Sequence, residues 1–287
     1  MNSQTRLQAL SQFLKAQRAK LTPQSVGLPE GSRRRTPGLR REEVAQLAGV
    51  SHTWYTWLEQ GRDIKVSSSV LDNVAMALRL TVDERKYLFS LALETTSGTS
   101  ALREELPEIS PSLTIILREL TYCPTIISDR RCRIVGWNEA AAHVFLNFEL
   151  VPPDQRNMIR LLFTRKEFQR LAVNWEQFAS GFLAIFRAYY GQYVEDEWYE
   201  EFLGEMKATH PDFNRLWEQS KVSSAPEVLL EFRHAKARKM LFQLTSLQVH
   251  GEADLRCSIY TPASETSTRS KLKQLMQDGL SSGGEND

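Results

Sequence analysis

Five arginines (Arg33, Arg34, Arg35, Arg40 and Arg41) fall within nine residues of the segment GSRRRTPGLRR. Guanidinium groups at that density suit the oxygens of a phosphate backbone, to which each can donate in pairs. A solvated basic loop would carry the same charges, so the cluster gains meaning only from its neighbours in the chain. Next to it stands REEVAQLAGVSHTWYTWLEQ, where two short helical segments meet at Gly49. Helices crossing steeply over a three-residue turn need small or apolar residues at their contact. Val44, Ala45, Ala48, Val50, Tyr55 and Leu58 supply them. Gly49 provides the turn conformation, and Ser51 stands where the second helix needs an N-cap. The first exposed positions of that helix are then His52 and Thr53, with Thr56 and Trp57 further along.

A second polar set lies in an aromatic setting. Arg187 follows Ile185 and Phe186 inside a helical stretch, where a guanidinium can grip a carboxylate through two hydrogen bonds. Asn138, Asn157 and Tyr122 are further candidates to fix the head of a small molecule. Trp137, Phe145, Phe163, Trp175, Phe178, Phe182, Phe186, Tyr189 and Trp217 would line a large apolar interior. Taken singly, each of these aromatics reads first as core, and Asn138 as a helix cap, while the domain as a whole reads as holding a pocket. Catalytic patterns are missing: there is no GxSxG, HExxH, P-loop or GxGxxG. The five histidines are scattered, with no carboxylate or cysteine at metal-ligand spacing. The acidic run WYEEF reads as a solvated helix face. The expectation is a protein that is not an enzyme and holds no metal or cofactor beyond a small effector.

Charge separates the chain into two regions. Residues 1–99 hold 14 Lys/Arg against 9 Asp/Glu, and the remainder holds 22 against 26. The opening stretch has no apolar signal-peptide core, and no run of 18 apolar residues occurs. Cys123, Cys132 and Cys257 form no CxxC pair, which fits a reducing cytoplasm and argues against a disulfide framework. Leu7, Leu10, Phe13 and Leu14 repeat at helical spacing. SSSVLDNVAMALRL and TVDERKYLFSLALE give two further helices, capped by serine and by Thr81. The polar stretch TTSGTS is a natural linker. Beyond it come a helix near 109–120 and a hairpin from TIISD and CRIVGW, then an Asn138-capped helix. Residues 156–219 read as mostly helical. VLLEFRH, KMLFQLTSLQVH and LRCSIYT read as three antiparallel strands, and SSGGEND as disordered.

These motifs carry a resemblance. Residues 1–95 resemble the Cro/C1-type (XRE) helix-turn-helix family. More narrowly, VGLPEGSRRRTPGLRREEVAQLAGVS and the segments after it closely resemble the MmyB-like bacterial regulators. PTIISDRRCRIVGWNEAAAHVF resembles the opening of a PAS domain. With NMIRLLF, VNWEQFASGFLAIFRAYYG and HPDFNRLWEQSKV, it also resembles the MmyB-like C-terminal domain. The resemblance implies an all-α helix-turn-helix domain at 1–96, a linker at 97–108, an α+β PAS-like domain at 109–262 and a mobile tail at 263–287. It further implies double-stranded DNA as partner, through an inverted-repeat operator bound by a homodimer, with no membrane. The C-terminal domain would bind a small apolar ligand such as a fatty acid. A ligand-free dimerisation module, as in phage-like repressors, is the alternative, and an unrecognised enzyme a remoter one. The resemblance assigns phosphate contacts to Arg40 and Arg41, and to Arg62 unless it is an ordinary helix-terminal charge. It places His52 and Thr53 at base edges in a DNA major groove, with Ser51, Thr56 and Trp57 on the same helix, and it makes Arg18 and Glu59 a structural ion pair. Two departures stand out. Trp57 occupies a position where relatives usually carry arginine, and His234-Ala235-Lys236-Ala237 replaces their His-Pro and Gly.

Overall fold

The structure is a computed structural model that describes residues 2–29, 38–93, 106–193, 196–223, 229–249, 255–264 and 266–282. The helices of the N-terminal stretch are α1 (Asn2–Lys20), α2 (Arg41–Ala48), α3 (His52–Glu59), α4 (Ser68–Ala77) and α5 (Val82–Ala92). Then come α6 (Pro111–Glu119), β1 (Thr125–Ser128), β2 (Ile134–Trp137), α7 (Glu139–Val144), α8 (Met158–Thr164) and α9 (Lys166–Leu171). After these stand α10 (Trp175–Gln192), α11 (Glu197–Thr209) and α12 (Pro211–Glu218). The chain closes with β3 (Leu229–His234), β4 (Arg238–Val249), β5 (Leu255–Pro262) and α13 (Thr268–Ser282). The described residues form two compact units, one drawn from Met1–Leu102 and Arg187–Ser224, the other from Arg103–Phe186 and Ala225–Asp287.

The first unit is all-helical. The apolar stripe of α1 buries Leu10, Phe13 and Leu14, and α1 packs on α3 and α5. α2 packs on α3 and α4 through Val44, Ala45 and Ala48. The expected caps are in place: Ser51, Ser67 and Thr81 each accept a hydrogen bond from a backbone N–H one turn into α3, α4 and α5. Such caps satisfy amides that a helix start leaves without partners. Gly49 takes φ 66°, the left-handed conformation that ends α2 and aims α3. Gly61 has φ 69°, and a Cβ there would stand 2.4 Å from the Leu7 carbonyl oxygen, so glycine is required twice over.

Residues 187–223 belong to this same unit, although their place in the sequence assigns them to the second domain. Phe13 meets Tyr87 edge-on at 5.0 Å. The Gln17 side-chain amide donates to Glu84 (2.9 Å) and to the Ser220 carbonyl (3.3 Å). Amphipathic helices advertise an apolar face but not which neighbour will cover it.

The second unit is α+β. Its five-stranded antiparallel sheet has the order β2-β1-β5-β4-β3. The early hairpin is therefore joined to the late strands by β1 and β5, in register Ile127 to Cys257. One face of the sheet meets an aromatic core: Phe145 lies 5.8 Å from Phe168, 5.7 Å from Phe232 and 4.9 Å from Tyr260. At the β3–β4 turn, His234 Nδ1 accepts from the backbone N–H of Ala237 (3.1 Å) and Lys236 (3.3 Å). His234 thus supplies a turn contact from its own imidazole. The expectation of a mobile tail from residue 263 is corrected. α13 buries Leu272, Leu275 and Met276, and Thr268 Oγ1 accepts from the Leu241 N–H at 2.9 Å. A short apolar stripe after a polar stretch was enough to dock a helix. Of the expected linker at 97–108, residues 97–105 lie outside the described residues, as do 94–96 and 283–287.

Candidate functional site

The helix-turn-helix is built as its residues require. α2 ends at Gly49, and α3 opens on Ser51, whose hydroxyl accepts from the Trp54 N–H at 3.1 Å. Tyr55 and Leu58 turn into the core, which leaves His52, Thr53, Trp57 and Gln60 on the exposed side of α3. Trp57 is 39% exposed, so it does not serve the core. The Arg62 guanidinium lies over its ring at 5.7 Å, a cation–π contact that ties the two side chains together. Thr56 is half-buried, and its hydroxyl is enclosed with no hydrogen-bond partner among the described residues, which takes it away from the exposed face.

Arg40 and Arg41 open α2 at the same side of the motif. Arg40 is exposed; its backbone N–H donates to Glu43 (2.6 Å), and its side chain reaches Glu42 at 3.2 Å. Arg41 departs from expectation. Its Nε donates to the fully buried Glu59 at 2.7 Å, with the side chain 39% exposed. Arg18 meets the other oxygen of Glu59 at 2.6 Å and donates to the Leu39 carbonyl, so the anticipated Arg18–Glu59 pair is a three-residue clamp. Burial pushes the Glu59 carboxyl up, but the hydrogen bonds and charges of Arg18 and Arg41 outweigh it and hold the group below the usual carboxylate range. Arg33, Arg34 and Arg35 lie outside the described residues.

The effector candidates divide between the two units. In the second unit, Asn138 uses all its capacity locally. Its Oδ1 accepts from Thr125 (2.9 Å) and Ala141 (3.0 Å), and its Nδ2 donates to the carbonyls of Leu120 and Cys123 (both 2.9 Å). Asn157 caps α8 through Ile159 and Arg160 and donates to the Arg131 carbonyl at 2.7 Å. Both asparagines therefore position backbone. The Trp175 indole donates to the Leu162 carbonyl (3.1 Å) and sets its ring edge-on to Phe163. Trp137 packs on Phe148 with Arg156 over its face, and Tyr122 lies under Arg269 at 5.9 Å. Phe186 is fully buried.

Arg187 and Trp217 belong to the first unit. Arg187 is buried, donates to the Trp217 carbonyl and lies 3.6 Å from the centre of the Trp217 ring. Tyr87 and Tyr190 flank it, and no carboxylate faces it among the described residues. Burial lowers its pKa, against the opposing influence of Tyr87. Lys20 and Lys207 are also held below the usual lysine range, first by burial and further by the charge of Arg187.

Sequence reasoning missed one group. The Tyr260 hydroxyl is fully buried beside Phe145 and Phe232, with no hydrogen-bond partner among the described residues. Alternation along β5 sets it with Arg256 and Ser258 rather than with Leu255 and Cys257, so the sequence carried no signal for it.

Comparison with known proteins bears on both regions. A helix-turn-helix domain model matches residues 9–88, and the model of the MmyB-like transcription regulator ligand binding domain matches residues 109–275. No curated protein matches the chain. The second match spans more than half of the 287 residues and, with the geometry of α2 and α3 before it, shows that the chain belongs to the MmyB-like transcription regulators, which join a DNA-binding helix-turn-helix to a ligand-binding domain.

Proposed function

We propose that this chain is a one-component regulator that binds an inverted-repeat operator as a homodimer and answers to an apolar acid, such as a fatty acid. His52, Thr53 and Trp57 face base edges, while Arg40, Arg62 and the outer nitrogens of Arg41 meet phosphate. Arg33, Arg34 and Arg35 reach further phosphates or a neighbouring minor groove. The observation that carries the effector reading is Arg187, a buried guanidinium with no acidic partner among the described residues. An uncompensated buried charge is costly, and a ligand carboxylate would relieve it. The rings of Tyr190 and Trp217, 5.9 Å apart beside it, suit the apolar body of such a molecule. Ile115 and Ile116 of α6, both largely exposed, support self-association. They equally suit a ligand-free dimerisation module, the second reading. An effector alters DNA affinity only if it binds two arrangements of the dimer unequally.

Native mass spectrometry of the protein as purified, followed by denaturation, tests this. A dimer that releases an acid of defined mass is the expected result. An empty dimer that no added fatty acid stabilises would favour the interaction module, and a monomer at micromolar concentration would remove the dimer from the reading.

A further inference from the structure

The exposed face of α3 has an unusual chemistry for a DNA-reading helix. Residues 52–60, HTWYTWLEQ, contain no lysine or arginine. Those are the side chains that read guanine through O6 and N7. Cytosine is read by a carboxylate that accepts from N4, and the one carboxylate here, Glu59, is buried and held by Arg18 and Arg41. The helix therefore offers no strong reader for either member of a G·C pair. What it exposes is His52, Thr53, Trp57 and Gln60. A glutamine amide matches the N6 and N7 pattern of adenine, and the Thr53 methyl and the Trp57 ring give apolar surface for the C5-methyl of thymine. His52 can meet N7 of either purine, which does not separate adenine from guanine. Arg62 lies over Trp57, and Arg41 meets Glu59 at the end of α3, so positive charge suited to phosphate stands beside this face. Arg62, stacked on Trp57, also holds the indole against free rotation.

We propose that α3 reads an A·T core in the major groove, with a thymine methyl packed on Trp57 and an adenine edge on Gln60. The proposal rests on α3 being the recognition helix of the motif.

The experiment uses the full chain. Binding sites are first selected from a random duplex pool, and each thymine of the enriched half-site is then replaced singly by uracil, which removes only the methyl group. With the native chain, uracil at one or two thymines should weaken binding about fourfold each, the value of one buried methyl. W57A, which alters an exposed side chain, should lose that sensitivity at one thymine while remaining folded. W57R should shift the selected base pair there toward guanine. An enriched motif indifferent to uracil, or one with an invariant G·C pair whose identity changes in W57A or in Gln60→Ala, overturns the A·T inference alone. Uniform binding with no enriched motif overturns the recognition-helix assignment and the inference with it.

Discussion

Arg41 Nε stands 2.7 Å from Glu59 Oε1, so the first residue of α2 is bonded to the last residue of α3. With Arg18 on the other oxygen, this contact fixes the angle at which the exposed face of α3 is presented. The same arginine that the basic cluster offers to phosphate also holds the motif together.

Removing the carboxylate should therefore harm the fold before it harms recognition. Glu59→Gln should destabilise the first unit by about 3 kcal/mol, the cost of breaking a buried pair and stranding its partner. Arg41→Ala should cost about 1 kcal/mol, since that arginine is partly solvated. Urea unfolding followed by tryptophan fluorescence would measure both, and equal losses for the two variants would contradict the clamp.

The same pair predicts a pH dependence. Glu59 titrates below its ordinary value of 4.5 in the folded chain, so the stability it contributes is fully present above that pH and is lost as pH falls through the folded value. Glu59→Gln should flatten this acid limb in melting temperatures recorded from pH 6 to about 3.

Phosphate and base contacts separate by salt. Arg40→Ala and Arg62→Ala should weaken binding to every sequence, and each should lower the salt slope by about 0.9. The double replacement His52→Ala, Thr53→Ala should keep the slope and lose about 1–3 kcal/mol of discrimination for each base pair no longer read. Full retention of operator preference by that double variant would show that the readers lie elsewhere.

Asn138 provides a control on the sensor unit. Its four hydrogen bonds join the end of α6, β1 and the start of α7. Asn138→Ala should destabilise the second unit by about 2–4 kcal/mol, at roughly 1 kcal/mol per bond. A variant of native stability that has lost only effector response would restore a ligand role to this residue.

Arg187→Met separates an anion grip from a structural cation. It removes a buried charge that no carboxylate balances among the described residues, so thermal stability without ligand should hold or rise. The stabilisation that a saturating fatty acid confers, about 2.7 kcal/mol at a hundredfold excess over Kd, should disappear. A neutral ester of the same chain length should stabilise neither protein. Marked destabilisation of the ligand-free variant would make Arg187 a packing element.

Much of this was legible along the chain because the responsible contacts are short-range. Gly49, Ser51, Thr81 and the Asn138 cap of α7 act on backbone within one helical turn, so residue type and spacing announce them. The β1–β2 hairpin and the three late strands come from apolar runs divided by polar turns. Periodicity identified α1, α4 and α5 for the same reason. Tertiary structure decided what those elements meet. The pairing of β1 with β5, the placement of residues 187–223 beside α1 and α5, and the docking of α13 all depend on chain segments far apart in sequence. So do the partners of polar side chains. Asn157 reaches back to Arg131, Arg41 is drawn to Glu59, Arg187 finds Trp217 and no acid among the described residues, and Tyr260 finds no acceptor there. A side chain's chemistry is written in its residue type, but its role is set by which partners the folded chain brings within hydrogen-bond distance.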